Sequence, residues 1–387
     1  MKIAKSVNRL GTEAVYNIFA KTKQLVKEGR SIIDLSLGQS DFKSPKHAVD
    51  GAIKALKDGH HGYTLPNGII QCREAVSRKI KSLYSASIEP ERIVIMPGGK
   101  PTMHYAISFF GETGAEIIYP DPGFPIYESM INFTGAKAIP YNMIENKDFS
   151  INPDKIFSLI NKNTRLLILN NPHNPTGGFT EKNVIDKLAK GLKSFPNLAI
   201  LSDEIYDRLI FDKKEIPTFL HYPDLYERLI VLNGWSKTYA MTGWRLGWSV
   251  WPKKLIEHVF KFCVNSHSCV NTPAQYGAIA ALDGTEDHLN NMMKEFSKRR
   301  KLIVEGLRSL KGVECTLPGG SFFAFPNVKK TGMNGEEFTR VCLEKAGVAM
   351  IPGTAFGKFA TDNVRFNFAT SKENISKAIE KIDKILK

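Results

Sequence analysis

Short apolar runs, each followed by turn residues, alternate with amphipathic stretches between residues 90 and 250. The runs are RIVIM (92–96), AEIIYP (115–120), AKAIPYN (136–142), RLLILN (165–170), LAILSD (198–203), RLIVLN (228–233) and RLGWSV (245–250). The stretches between them, such as YESMINF, PDKIFSLIN and EKNVIDKLAKGLKSF, are typical of helices. Strands that alternate with helices predict an α/β unit with a mainly parallel sheet. A ligand of such a sheet is expected at the carboxyl ends of its strands.

The pattern changes after about residue 275. One long charged helix is predicted at 285–310, followed by short strands at VECT, SFFAF and VRFNF and by two further helices. These elements form a smaller α+β unit. We therefore predict a large domain at 46–275 and a small domain made from 1–45 and 276–387.

The chain has 387 residues, of which 42% are hydrophobic and 24% charged, an ordinary globular composition. The formal charge of +14 raises the question of nucleic-acid binding. The lysine-rich segments, for example MMKEFSKRRKL, carry acidic residues at helical spacing, which favours a solvated surface. Neither a zinc finger nor an RNA-binding aromatic stripe accompanies the charge, so we expect no nucleic-acid partner.

Cysteine content and apolar run length bear on the compartment. The five cysteines form no C-x-x-C pair, and an odd number in a long chain makes a disulfide framework unexpected. The first residues, MKIAKSVNRLGTEAVYNIF, contain no apolar signal region, and no run of about 18 apolar residues occurs. We expect a cytoplasmic protein without membrane contact.

Several common catalytic motifs are missing from the sequence. No two glycines lie two positions apart, which excludes the G-x-G-x-x-G fingerprint of dinucleotide-binding folds. The segment Gly98-Gly99-Lys100-Pro101 does not fit a Walker A loop, and neither H-E-x-x-H nor G-x-S-x-G occurs. Rossmann dehydrogenase, nucleotide hydrolase, zinc protease and α/β-hydrolase readings are thereby disfavoured, and no metal site is predicted.

Polar residues follow four of the predicted strands. RIVIM leads into Gly98-Gly99-Lys100 and a helix, an arrangement whose backbone N–H groups bind phosphate. RLLILN leads into the stiff loop NNPHNPTGG, from which Asn174 offers an amide donor and acceptor. Each feature alone is also compatible with a structural turn.

The two remaining strand ends carry opposite charges. Asp203 ends LAILSD, and a carboxylate leaving an apolar strand is costly to bury unless it meets a cation, either Lys237 or a cofactor nitrogen. Ser236 and Lys237 follow RLIVLN, and Arg245 lies eight residues beyond the lysine. Burial can deprotonate a lysine amine, and a guanidinium suits phosphate.

Seven segments in this order resemble the motifs of the class I/II aminotransferases, which are fold-type-I pyridoxal phosphate enzymes. They are SLGQSDF, GYTLPNGI, NNPHNPTGG, SDEIYDRL, SKTYAMTGWRLGW, IPGTAFG and VRFNFATS, and they extend from about residue 30 to the C-terminus. The resemblance implies an α/β large domain with a mainly parallel seven-stranded sheet, a smaller α+β domain, pyridoxal 5'-phosphate as cofactor and a homodimer with shared active sites. It also implies transfer of an amino group from an L-amino acid to a 2-oxo acid, with aspartate and 2-oxoglutarate as the default pair. Aromatic and aliphatic donors stay open, because no residue of the sequence can be assigned to a second substrate carboxylate.

The resemblance assigns roles toward the cofactor. Lys237 would form the Schiff base and move the proton, and Asp203 would pair with the ring nitrogen. Asn174 and Tyr206 would bind the ring oxygen, and Phe124 would stack on the ring. The residues implied to hold the phosphate are Gly99, Lys100, Ser236, Arg245 and, from a neighbouring subunit, Tyr63.

The substrate site follows from the same resemblance. Arg365 in VRFNFATS matches the arginine that binds the substrate α-carboxylate, with support from Gly38 and Asn174. A planar guanidinium binds a carboxylate through two parallel charge-assisted hydrogen bonds. Without the resemblance, an arginine in a C-terminal strand is more often a surface residue.

Two alternatives use the same scaffold. A C–S β-lyase or synthase would need the same Lys237 and Asp203, and release of pyruvate and ammonia from a cysteine conjugate would identify it. A cofactor-binding transcriptional regulator would carry an additional DNA-binding helical module. About 35 residues precede SLGQSDF, and we expect this length to be too short for such a module.

Overall fold

The computed structural model describes residues 1–11, 14–144, 148–212 and 215–387. Its helices are α1 Ala14–Lys27, α2 Lys46–Lys57, α3 Ile70–Tyr84, α4 Lys100–Phe110, α5 Ile126–Thr134, α6 Pro153–Leu159, α7 Lys182–Leu192, α8 Ile256–Ser266, α9 Thr272–Asp283, α10 Asp287–Ser309, α11 Gly335–Val341 and α12 Lys372–Leu386. Its strands are β1 Ile33–Asp34, β2 Ile93–Met96, β3 Glu116–Asp121, β4 Lys137–Asn142, β5 Thr164–Asn170, β6 Ala199–Asp203, β7 Leu229–Gly234, β8 Gly247–Val250, β9 Phe323–Ala324, β10 Val348–Ala349, β11 Ile351–Pro352 and β12 Val364–Asn367.

A seven-stranded sheet forms the centre of the molecule, in the order β2-β8-β7-β6-β5-β3-β4. Six strands run in the same direction, and β8 is antiparallel to both of its neighbours, β2 and β7. The seven predicted strands and the mainly parallel sheet are therefore confirmed. The carboxyl ends of β2, β3, β5, β6 and β7 lie at one edge, where the sequence places the polar motifs.

Helices cover both faces of this sheet, which explains why its strands read as continuous apolar runs. In β5, Leu167 and Leu169 belong to the buried cluster on one face, and Leu166 and Ile168 belong to the cluster on the other. Successive side chains of a strand point to opposite faces, so a strand buried on both sides has no polar alternation. Burial on both faces holds the strand ends, and the site at their edge, in fixed positions.

A third core lies beside the sheet and is built mainly from α10, α12 and the strands of the last third of the chain. The strands β11, β12 and β9 form a small antiparallel sheet, and β1 pairs in parallel with β10. The long charged helix and the two later helices are thus confirmed. Residues 33–35 pack with this unit, whereas Arg9 donates to the carbonyl oxygens of Asn132 and Phe133 at the end of α5. The domain boundaries at 45 and 275 stay a prediction.

The prediction of a strand at VECT is wrong. Glu314 forms a single bridge with Asn327, and no strand of the described chain includes it. A left-handed Gly312 (φ 77°) precedes this bridge and Pro318 follows it, so few residues remain that could extend the pairing.

The helices that the structure describes include none long and apolar enough to cross a membrane.

Candidate active site

A cavity of about 510 Å³ opens at the carboxyl edge of the central sheet. Eleven of the residues predicted from the sequence line it: Gly38, Gly99, Lys100, Phe124, Asn174, Asp203, Tyr206, Ser236, Lys237, Arg245 and Arg365. They come from the ends of five strands, from the segment after β1 and from β12. The cavity therefore joins the sheet to the C-terminal unit.

Lys237 follows β7 and directs its amine into the cavity. The Nζ atom donates a hydrogen bond of 2.6 Å to the Gly38 carbonyl oxygen, and it lies 5.7 Å from the ring centre of Tyr206. Removal from bulk water, followed by the positive charges of Arg365 and Arg245, lowers the pKa of Lys237 to about 7. Near neutral pH this amine can exist in either protonation state, as a nucleophile or proton carrier requires.

Asp203, the last residue of β6, is 2% exposed. Its Oδ2 accepts a 2.5 Å hydrogen bond from the Tyr127 hydroxyl, and its Oδ1 accepts one of 3.2 Å from the Ile205 amide. Burial raises the pKa of Asp203 to about 6, although the Tyr127 hydrogen bond opposes the rise. Within the described residues no lysine or arginine forms an ion pair with this carboxylate. A cationic ring nitrogen would supply the charge that the carboxylate lacks.

Asp203 has two candidate cations, Lys237 and a cofactor nitrogen. Lys237 is hydrogen-bonded to the Gly38 carbonyl oxygen. Its effect on the pKa of Asp203 is smaller than the effects of burial and of the two hydrogen bonds that Asp203 accepts. The geometry thus favours the second alternative.

A chain of hydrogen bonds leads from Asp203 to Arg365. The Asn170 side-chain amide donates to the Asp203 carbonyl oxygen (3.0 Å), and its side-chain oxygen accepts from the Asn174 amide (2.9 Å). Arg365 in turn donates from Nη1 to the Asn174 side-chain oxygen (2.9 Å) and from Nη2 to the Ser36 carbonyl oxygen (2.6 Å). The network fixes the plane of the Arg365 guanidinium, which is 3% exposed.

Two aromatic rings complete the surroundings of Arg365. Its guanidinium carbon lies 4.4 Å from the ring centre of Phe323 and 4.6 Å from that of Phe356. A guanidinium packs well on aromatic faces because it is planar and weakly hydrated. The two rings therefore help to hold the guanidinium in place.

The turn before α4 forms an anion cup with Arg245. Gly99 caps the helix, and no side chain of the described residues caps it in addition. Gly98 has a φ of 90°, and a Cβ there would lie 2.2 Å from Nη2 of Arg245. Only glycine allows the guanidinium to approach this closely. The helix N-terminus, Arg245 and the Ser236 hydroxyl together suit a phosphate dianion.

Phe124 lies in the loop between β3 and α5 and lines the cavity. The Nζ atom of Lys100 lies 5.6 Å from its ring centre and 5.5 Å from that of Tyr16. Lys100 thus contributes more than a backbone group: its ammonium is a further cation in the cavity.

Comparison with known proteins gives the family. The family model described as Aminotransferase class I and II matches residues 30–382. The aspartate aminotransferase of Pyrococcus horikoshii is 35% identical over 387 residues, covering 99% of this chain and 97% of the relative. The chain belongs to the class I and II aminotransferases.

Solved structures of aminotransferases share the fold over the whole chain. The aspartate aminotransferase of Rhizobium meliloti superposes with a TM-score of 0.95 at 27% identity, covering 100% of this chain and 99% of that one. An aromatic aminotransferase of Pyrococcus horikoshii superposes with a TM-score of 0.89 at 32% identity, covering 94% and 98%. The resemblance seen in the sequence and the fold-type-I architecture are confirmed, and the protein is an aminotransferase.

One predicted residue does not reach the cavity of this aminotransferase chain. The Tyr63 side chain is 94% exposed and is not among the cavity-lining residues. It was predicted to enter the site of a neighbouring subunit, and this role stays a prediction.

Several residues of the site were not predicted from the sequence. Tyr127 lies three residues after Phe124, in the first turn of α5, and this proximity to a predicted site residue could have suggested it as a partner for Asp203. Asn170 ends β5 and was passed over in favour of Asn174. Tyr16 and Phe323 carry no local signal, because an aromatic residue within a helix or a strand is usually part of the core.

Proposed function

We propose that this aminotransferase holds pyridoxal 5'-phosphate in the cavity at the sheet edge. The observation that carries the proposal is one cavity containing an amine of pKa about 7, a buried carboxylate and a glycine-rich anion cup. Asp203 fits a cationic ring nitrogen, and Phe124 offers a ring face. Gly99, Lys100, Ser236 and Arg245 fit a phosphate group.

Bound pyridoxal phosphate supplies an electron-accepting ring that stabilises negative charge at the substrate α-carbon. Lys237 is the residue that removes and returns the α-proton, because its lowered pKa makes both directions accessible near pH 7. Asp203 keeps positive charge on the cofactor side, and Tyr127 keeps the carboxylate oriented. Tyr206 and Asn174 provide polar groups beside them.

Arg365 is proposed to bind the α-carboxylate shared by amino acids and 2-oxo acids. Its guanidinium is buried and held by Asn174 and Ser36, so little side-chain entropy is lost when a carboxylate binds. The Gly38 backbone lies beside Lys237 and lines the same cavity. Such a fork selects for the carboxylate and not for the side chain.

We propose a dicarboxylic amino acid, aspartate or glutamate, as donor and 2-oxoglutarate as an acceptor. A second carboxylate needs a second cation, and Lys100 provides one inside the cavity beside Phe124 and Tyr16. The relatives named aspartate aminotransferase support the same choice. Lys100 would bind the phosphate through its backbone amide at the helix N-terminus, so a change of its side chain leaves that contact in place.

The test is a panel of amino donors against 2-oxoglutarate, pyruvate and oxaloacetate. Aspartate or glutamate should have the highest kcat/KM. In Lys100→Met the dicarboxylic donors should lose roughly 10- to 100-fold, because one charged hydrogen bond is removed, while alanine is unchanged. Lys253→Met, at an exposed lysine that does not line the cavity, is the control. Equal losses for all donors, or a wild-type preference for aromatic donors, would contradict the assignment.

A homodimer with shared active sites is proposed for the assembly. On α2, Val49, Ile53 and Leu56 are 37%, 45% and 56% exposed, and their spacing puts them on one helix face. Leu65 and Tyr63 extend the exposed apolar surface. A second copy would cover this face and would bring Tyr63 toward the neighbouring phosphate site.

Mixing two inactive variants tests this sharing. In a hybrid of Lys237→Ala and Tyr63→Ala subunits, one site has both native residues and the other has neither. Equal mixing after dissociation should restore about a quarter of the wild-type activity if sites are shared. A mixture no more active than the two variants alone would show that Tyr63 acts within its own subunit or not at all.

A further inference from the structure

Asp121, the last residue of β3, contacts a loop of the C-terminal unit. Its carboxylate is 1% exposed and accepts hydrogen bonds from two backbone amides, those of Lys358 (3.1 Å) and Phe359 (3.2 Å). Two residues later, the Gly123 amide donates to the Phe356 carbonyl oxygen (2.7 Å). We define these three hydrogen bonds, between residues 121–123 and 356–359, as the clasp.

Gly357 shows how closely the two segments approach. A Cβ at this position would lie 2.0 Å from Oδ1 of Asp121, and the φ of 150° is one that other residues rarely adopt. The loop backbone therefore rests directly on the carboxylate, without an intervening side chain. A buried carboxylate that accepts two amide hydrogen bonds is well satisfied, and its removal would leave both amides without that acceptor.

The loop leads from the clasp to the substrate site. Phe356, the residue before Gly357, is 4% exposed, and its ring centre lies 4.6 Å from the guanidinium carbon of Arg365. In the small sheet, Ile351 of β11, the strand that leads into this loop, pairs with Arg365 itself. On the other side of the clasp, Phe124 follows Gly123 directly and lines the cavity.

We propose that Asp121 is a positioning residue for α-carboxylate recognition. It fixes the loop 353–359 on the end of β3, so that the Phe356 ring stays packed against the Arg365 guanidinium. Neither the carboxylate nor Gly357 is among the residues that line the cavity. The inference rests on the proposed role of Arg365.

Asp121→Asn is the first test. An asparagine keeps one acceptor oxygen but turns an NH2 group toward the other amide, so one charge-assisted hydrogen bond is replaced by a repulsive contact. Binding of succinate, a carboxylate that cannot react, should weaken by about tenfold or more, and the KM values of amino acid and 2-oxo acid should rise alike. The value of kcat should stay within about threefold and cofactor absorbance should be unchanged.

Two further variants reach the same loop without touching the carboxylate. Gly357→Ala pushes the loop away from Asp121, and Phe356→Leu removes the ring from Arg365. Both should show the same selective loss of succinate binding, and they keep the test decisive if Asp121→Asn does not fold. Thr331→Val breaks a hydrogen bond of the C-terminal unit outside the loop 353–359, to the Val328 carbonyl oxygen, and should behave as wild type.

A double-mutant cycle separates positioning from general destabilisation. If Asp121 acts through Phe356, the two losses should not add. The double variant Asp121→Asn/Phe356→Leu should then bind succinate as tightly as whichever single variant has the larger loss. Additive losses, a loss confined to kcat or cofactor retention, or wild-type succinate binding in Asp121→Asn and Gly357→Ala would overturn the inference. Wild-type binding in Arg365→Ala would instead overturn the proposed function, so the two failures are distinguishable.

Discussion

Asp203 and Arg365 are both buried charged residues of one cavity, but their surroundings were assembled differently. Asp203 is held by the end of its own strand and by Tyr127, which is 76 positions away and packs on the same sheet. Arg365 is held by Asn174 and Ser36, which are 191 and 329 positions away. The proposed cofactor side is thus a property of one sheet edge, whereas the proposed carboxylate side exists only where three distant segments meet.

This difference suggests that the two sides of the cavity affect different kinetic constants, which experiments can test. Changes on the cofactor side should alter kcat, because they affect charge that develops during the reaction. Changes on the carboxylate side should alter the binding of every substrate. Lys237 lies between the two and is influenced by both, since Arg365 and Asp203 shift its pKa in opposite directions.

The largest effect is expected for Lys237→Ala. Turnover should fall by about 10⁴-fold or more, because the amine acts as nucleophile and as proton carrier and proton transfer alone contributes up to about 10⁴. Lys253→Ala, at an exposed lysine, is the control. If the Lys237 variant kept a cofactor absorption band that borohydride bleaches, another lysine would be the attachment site.

Asp203→Asn should lower kcat by roughly 10²- to 10³-fold, the usual cost of one preorganised electrostatic group. Retention of the cofactor should change little, because the phosphate cup around Gly99 and Arg245 is separate from the ring nitrogen. Single-turnover kinetics and the cofactor content after gel filtration measure the two quantities. A variant that lost its cofactor on gel filtration but kept the wild-type kcat when saturated with cofactor would mean that Asp203 serves cofactor binding and not catalysis.

Arg365→Lys should cost about 1.5 to 3 kcal/mol in kcat/KM for every amino acid and 2-oxo acid, because an ammonium cannot form two parallel hydrogen bonds. Cofactor absorbance should remain normal. Arg300→Lys is a matched control, since Arg300 is also buried and packed on an aromatic ring, that of Phe211, but does not line the cavity. Losses limited to dicarboxylic substrates would mean that Arg365 reads the side chain.

The smallest effect concerns pH. The pKa of Lys237 is lowered to about 7, first by burial, so its neutral fraction rises with pH through 7 and then levels off. Attachment of pyridoxal phosphate to the cofactor-free protein should accelerate about tenfold between pH 6 and 8. A free alkylamine, measured in parallel, corrects for titration of the cofactor. In Arg365→Leu the midpoint should move upward, since a positive neighbour is removed. A rate that still climbs at pH 9 would contradict a lowered pKa.

The confirmed elements have strong local causes. RLLILN and RLIVLN are apolar on both faces, so only a sheet covered on both sides could bury them, and β5 and β7 form there. The prediction of a strand at VECT was wrong because a pattern of four residues does not show whether a partner strand continues beside it. Asn327 offers one pairing position to Glu314, and the ladder ends there.

The sequence by itself determined the sheet and the chemistry at its edge: parallel strands bring their ends together, so Asp203 and Lys237 had to share one edge. For Arg365 and Phe124, sequence motifs named the residues through resemblance but gave no distances. Only the tertiary structure decided that Tyr127 donates to Asp203, that Lys100 enters the cavity and that Asp121 grips the loop beside Arg365. The physical reason is that periodicity records which side of an element is buried, whereas contacts between distant segments depend on how whole elements pack, and no local pattern encodes that packing.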